Sequence, residues 1–104
     1  MNKRLVTRYA TQSSAAADEN ERRIEGVFAE LAANRPGNMS YIVLRLADDS
    51  FVHLSFHGHG DKEVNPITSM ASFAHFQQDH AARRQGAADQ QTAKLVGAYI
   101  TKIA

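Results

Sequence analysis

The sequence predicts an α+β fold of the ferredoxin-like type, β-α-β-β-α-β, with one antiparallel sheet and both helices on a single face. Two observations carry this. Strand and helix periods of hydrophobicity alternate in that order along the chain, and Gly, Pro and Asp clusters separate them. The chain has 104 residues, which fits one domain spanning 1–104.

Residues 3–11 have the β-branched and aromatic content of a first strand. Ile24, Val27, Phe28 and Leu31 then follow the i, i+3, i+4, i+7 rule of an amphipathic helix. Asp18 with Glu21 three residues on resembles a capping box, and acids there suit the positive helix N-terminus. Pro36-Gly37 stops this helix. Residues 40–47 and 50–57 read as two strands joined through Asp48-Asp49 as a hairpin. Asn65-Pro66 supplies a cap and a proline at the first helical position. The helix it opens is expected to reach about Arg84, with a break near Ser69 or Ser72. Residues 91–101, around Leu95, Val96, Tyr99 and Ile100, read as the last strand.

Strand alternation sorts the side chains into two sets. One is almost wholly aliphatic: Val6, Ile42, Leu44, Leu46, Val52, Leu54, Phe56, Val96, Ala98 and Ile100. The other is mixed, with Leu5, Thr7, Tyr9, Tyr41, Val43, Phe51, His53, Ser55, His57, Leu95, Gly97 and Tyr99. The helices cover one sheet face only, and neither set suits water. Two sheets packed face to face would bury the remainder, so a homodimer is the expected assembly.

Composition narrows the function classes. Apolar residues at 43% and charged residues at 22% are ordinary for a globular domain. Twelve Lys and Arg against eleven Asp and Glu leave a formal charge of +1, without the clustered basic excess of a nucleic-acid binder. The absence of Cys excludes disulfides, thiolate zinc sites and cysteine nucleophiles. Only Leu5-Val6 follows Lys3-Arg4 before the next polar residue, too short for a signal-peptide core, and no run nears the ~18 apolar residues of a membrane span. A cytoplasmic protein without nucleic-acid or membrane partners is expected.

Three stretches resemble a known superfamily: residues 18–31 (DENERRIEGVFAEL), 51–57 (FVHLSFH) and 65–76 (NPITSMASFAHF). With the element order, they make the chain similar to the antibiotic biosynthesis monooxygenase-like proteins, which are dimeric α+β barrels. The resemblance implies a pocket between the sheet and the helices, lined by the mixed strand set. It also implies an activity drawn from a group that includes cofactor-independent oxygenases, quinol monooxygenases and haem-degrading enzymes. The haem-degrading members use an asparagine in the first strand, a tryptophan late in the third and a histidine in the second helix. This chain has Thr7, His57 and Phe76 there and contains no Trp, so haem degradation is not expected.

The histidines are the candidate catalytic residues: His57, His53 and His80. His53, His57 and His59 alternate along one strand face, and His57 with His59 could converge on a metal. The competing reading is a solvated histidine-glycine turn; no carboxylate completes a ligand set, and no metal site or cofactor is expected. His80 shares a helical stripe with Phe73 and Phe76, either as a rim residue or as a proton acceptor for a phenol, while His75 faces water. Thr7, Tyr9, Tyr41, Phe73, Phe76 and Tyr99 are the candidate substrate-binding residues, a mixed lining for a flat organic ligand; the tyrosines there can equally be core, and the Phe73-Phe76 pair reads chiefly as core. Arg45 reads as a solvated hairpin-end residue, and Arg83-Arg84 as complements to the helix dipole. Glu19, Glu21, Glu25 and Glu30 read as a solvated helix face.

The expected function is that of a small dimeric monooxygenase-like protein acting on an aromatic or quinol substrate. The alternative is a non-catalytic, small-molecule-binding or stress-related homodimer. A histidine base would make kcat/KM rise through a group titrating at about 5.5–7.5.

Overall fold

The computed structural model describes residues 3–37, 39–57 and 66–101. Strand β1 (Lys3–Thr11) leads into helix α1 (Ser14–Asn34), followed by strands β2 (Met39–Arg45) and β3 (Phe51–His57). A short 3₁₀ turn at Pro66–Ser69 precedes helices α2 (Ala71–Gln77) and α3 (His80–Arg83), and strand β4 (Arg84–Thr92) closes the order. The sheet runs β2-β3-β1-β4, and all three pairings are antiparallel. This is the α+β, ferredoxin-like arrangement that the periodicity predicts.

Helix α1 starts earlier than the expected capping box. Ser13 is the N-cap: its backbone is extended, and its hydroxyl accepts from the Ala16 amide at 3.1 Å. Three alanines follow, the residue with the best helix propensity, so the helix is established before Asp18. Asp18 and Glu21 instead each accept from the Arg45 guanidinium at 3.0 Å, and Asp49 holds the same group at 2.7 Å. Arg45 is therefore not a solvated bystander; it clamps α1 to the β2–β3 hairpin. At the other end Arg35 takes a left-handed conformation, φ 47°, and returns its N–H to Leu31 O before Pro36 ends the helix.

Asp48 shapes the hairpin by accepting from the Ser50 amide at 3.0 Å and from the Ser50 hydroxyl. Thr11 ties it to β1 by donating to Asp49 O at 2.9 Å. The second helical region breaks at Met70, near the expected Ser69, and again at Gln78-Asp79, where Asp79 is left-handed with φ 57°. The Asn65 cap and the Gly58–Asp61 turn lie outside the described residues.

The last strand is the main correction. It occupies 84–92 rather than 91–101, and residues 93–101 continue without helix or strand. Strand β4 begins directly after α3, so the first chain to reach the open edge of β1 pairs with it, whatever its composition. Its sequence, RQGAADQQT, has almost no strand character. An edge strand with side chains largely in water needs little, because the gain is the pairing of β1's backbone groups. The register shifts between Arg8 and Ala10, and Gly86, φ 82°, supplies the left-handed residue on the β4 side.

Tyr9, Ala17, Ile24, Val27, Phe51, Met70 and Phe76 form the buried cluster between the sheet and the helices. The mixed strand set therefore faces the helices. Val6, Ile42, Val52, Leu54 and Phe56 lie on the opposite sheet face, each half-buried, with Leu44 exposed. Beyond β4, Val96 and Tyr99 are 94% and 92% exposed.

Candidate active site

A cavity of about 280 Å³ opens between the sheet and the second helical region. Alternation along β1, β2 and β3 aims Thr7, Tyr9, Tyr41, His53 and His57 into it, and α2 and α3 bring Phe73, Phe76 and His80 from the other side. Eight of the nine residues singled out in the sequence thus meet at one place. Tyr99 does not: it lies in the exposed segment after β4, because the strand that would have carried it is formed earlier in the chain.

His53 occupies the centre of the wall. Its Nε2 lies 2.7 Å from the Tyr9 hydroxyl and its Nδ1 lies 2.6 Å from the Tyr41 hydroxyl. Tyr9 also accepts from Asn20 Nδ2 at 2.9 Å, and Asn20 Oδ1 accepts from Arg83 Nε at 3.1 Å. Arg83 is buried and donates one N–H from each terminal nitrogen to the carbonyls of Gln78 and Phe76. Its guanidinium also lies over the Phe76 ring, 5.6 Å from the centroid. It does serve helix-end carbonyls, as a dipole reading implies, but from inside the fold. Neither Asn20 nor Arg83 was legible as a site residue. The available signal was Asn20's place on the buried stripe of α1, three residues after Ala17 and four before Ile24.

His80 differs from His53. Its ring stands edge-on to Tyr9, with centroids 4.7 Å apart, and lies 4.8 Å from Phe76. Its Nε2 is buried and has no hydrogen-bond partner. Burial, and then the charges of Arg84 and Arg83, push the His80 imidazole down to about 4. Burial, reinforced by His80, pushes His53 down to about 4. Desolvation penalises the cationic form, so both rings are neutral across the physiological range. The expected titration at about 5.5–7.5 therefore moves to a more acid range. Tyr9 is pushed up to about 12 by burial, against the opposing pull of its Asn20 hydrogen bond and the Arg83 and Arg84 charges. Burial raises Tyr41 as well, helped by Tyr9. Both phenols keep their protons and can donate.

His59 lies outside the described residues. Among the described residues no three His, Asp or Glu side chains gather to hold a metal ion. His75 is exposed, as its helical angle predicts.

No family model matches the sequence, and no curated protein sequence matches it significantly. Solved structures do match. A candidate antibiotic biosynthesis monooxygenase from Caulobacter crescentus superposes with a TM-score of 0.71 at 17% identity, covering 92% of this chain and 91% of that one. The chain has the antibiotic biosynthesis monooxygenase-like fold. A point variant of SnoaB, a cofactor-independent oxygenase from Streptomyces nogalater, shares that fold with a TM-score of 0.64 at 16% identity, covering 93% and 95%. A candidate antibiotic biosynthesis monooxygenase from Nitrosomonas europaea follows at 0.63 and 15%, covering 91% and 90%. Among the described residues, no helix of this fold is long and apolar enough to cross a membrane.

Proposed function

We propose that the cavity takes a flat aromatic phenol or quinol and that the protein oxygenates it with O₂ without a stored cofactor. The observation that carries this reading is the buried, partnerless Nε2 of neutral His80 on a cavity wall made of Tyr9 and Phe76. A lone pair there accepts a hydrogen bond from a bound O–H, and the proton moves onto it as an electron passes from the substrate to O₂; the two radicals then combine at carbon. For a quinol, one oxygen atom then stays as a new hydroxyl on the quinone and the other leaves as water. His53 has both nitrogens engaged by tyrosines, so its part is to position them. His57 and Thr7 line the same cavity beside them and contact substrate in this reading. The working unit is a homodimer joined through the aliphatic sheet face, in the cytoplasm.

Oxygen uptake with a panel of quinols and polyphenols tests this. Turnover that is abolished in His80→Ala with folding intact supports the oxygenase. The second reading, a ligand-binding dimer without catalysis, is supported by saturable binding together with inertness across the panel.

A further inference from the structure

We propose that Arg83 sets the direction of the hydrogen-bond chain through Asn20, Tyr9 and His53. Tyr41 then presents its phenolic O–H to the cavity as a donor to an acceptor oxygen of the ligand. This rests on the cavity being a site for flat aromatics and adds the atom that the ligand has to offer.

A guanidinium carries donors only. Its contact at 3.1 Å therefore falls on the Asn20 carbonyl oxygen, and the Asn20 NH₂ group faces Tyr9 as a donor at 2.9 Å. A neutral imidazole has one N–H and one lone pair, so one of Tyr9 and Tyr41 donates to His53 and the other accepts from it. If Tyr9 accepted from His53 as well as from Asn20, its own proton would have no acceptor at a residue only 3% exposed. An unsatisfied buried donor is the costly arrangement. Tyr9 thus donates to Nε2, His53 carries its proton on Nδ1, and Nδ1–H donates to the Tyr41 oxygen. The one proton left over belongs to Tyr41, which is half-buried and lines the cavity.

Every link donates away from the buried cation, so each polarises the next and strengthens the final O–H as a donor. Stacking on Phe28, with centroids 5.2 Å apart and the rings 14° from parallel, holds the Tyr41 ring in place. A quinone carbonyl or a phenolate oxygen suits such a donor, whereas a bare hydrocarbon gains nothing from it.

Changing Asn20 to Asp reverses the chain. A carboxylate accepts from both Arg83 and Tyr9, so Tyr9 must accept from His53 Nε2–H, and Nδ1 takes the Tyr41 proton. The test joins ¹⁵N NMR of the His53 ring with calorimetric titration of 1,4-naphthoquinone and naphthalene. The quinone is usable because the chain has no Cys to add to it. The expected results are an Nδ1–H tautomer in the native protein and an Nε2–H tautomer in Asn20→Asp. Naphthoquinone binding is expected to weaken about three- to tenfold in Tyr41→Phe, with naphthalene unchanged. An Nε2–H tautomer in the native protein overturns the proposal, whatever binds. So does naphthoquinone binding that ignores Tyr41→Phe, while the aromatic cavity itself stands. If neither compound binds, the aromatic reading of the cavity falls, and the ligand assignment with it.

Discussion

Asn20 is wholly buried between a guanidinium and a phenol, and its amide serves both at once. Replacing it with Leu preserves the volume but leaves Arg83 Nε and the Tyr9 oxygen each short of one bond. Losing a buried partner costs about 1–3 kcal/mol, so Asn20→Leu is expected to lower the urea midpoint clearly with an unchanged m-value. The histidines set the pH behaviour. His53 and His80 titrate near 4 in the folded chain and at about 6.5 when unfolded. The unfolded chain therefore binds more protons between these values. The stability contributed by the neutral rings is complete above about 6.5 and is lost as pH falls toward 4. A urea midpoint that drops between pH 7 and 5.5, above the carboxylate range, is the expected signature. For the oxygenase, kcat/KM should be flat from about pH 5.5 to 9 and fall only toward pH 4. A limb centred near 6.5 would place the base on a solvated histidine instead.

At the scale of elements, the unexpected work falls on charged residues that read as solvent-facing in the sequence. Glu30 reads there as part of a solvated helix face, where reversal to Lys would do little. Its carboxylate instead accepts from the Ser72 amide at 2.9 Å, and Ser72, by its side chain first and then by this amide, holds the carboxyl below its ordinary range. Helix α2 has Met70 as its N-cap residue, with no side-chain cap of its own, so α1 supplies the cap from across the interface. Glu30→Lys is expected to lower thermal stability and loosen α2, while Glu25→Lys on the exposed side of the same helix leaves the melting temperature close to native. Because α2 carries Phe73 and Phe76 into the cavity, ligand binding should weaken together with stability in Glu30→Lys.

Across the whole molecule, the aliphatic sheet face and the segment after β4 are where the single chain is least at ease in water. Leu44 is 48% exposed and Ile100 63%, in addition to Val96 and Tyr99. Large apolar side chains left this exposed are the ones the proposed interface would cover. The proposed homodimer predicts a light-scattering mass of twice the 11.5 kDa chain at micromolar concentration. Leu54→Asp, placed on the half-buried face, should unfold the protein or abolish association. Val96→Asp with Ile100→Asp is the sharper test. These side chains stand largely in water in the single chain, so charge there can lower stability only if a partner covers them. A well-folded monomer unaffected by that pair of changes would remove the dimer from the account.

Sequence alone determined the element types and their order up to the second helix, and with them which strand faces carry aromatic and histidine side chains. The reason is that period-two and helical alternation are written locally, so Tyr9, Tyr41, His53 and His57 could be placed on one face before any packing was known. It also brought Phe73, Phe76 and His80 onto one stripe, which survives the break at Gln78-Asp79. The tertiary structure alone decided the last strand, because edge pairing rewards backbone position over side-chain pattern and RQGAADQQT reaches the open edge of β1 first. That same choice left Tyr99 outside the cavity. The tertiary structure also decided the polar interior. Asn20 and Arg83 lie 63 residues apart, and nothing local distinguishes a buried, hydrogen-bonded arginine from a solvated one, since the difference lies in the partners that folding brings to it.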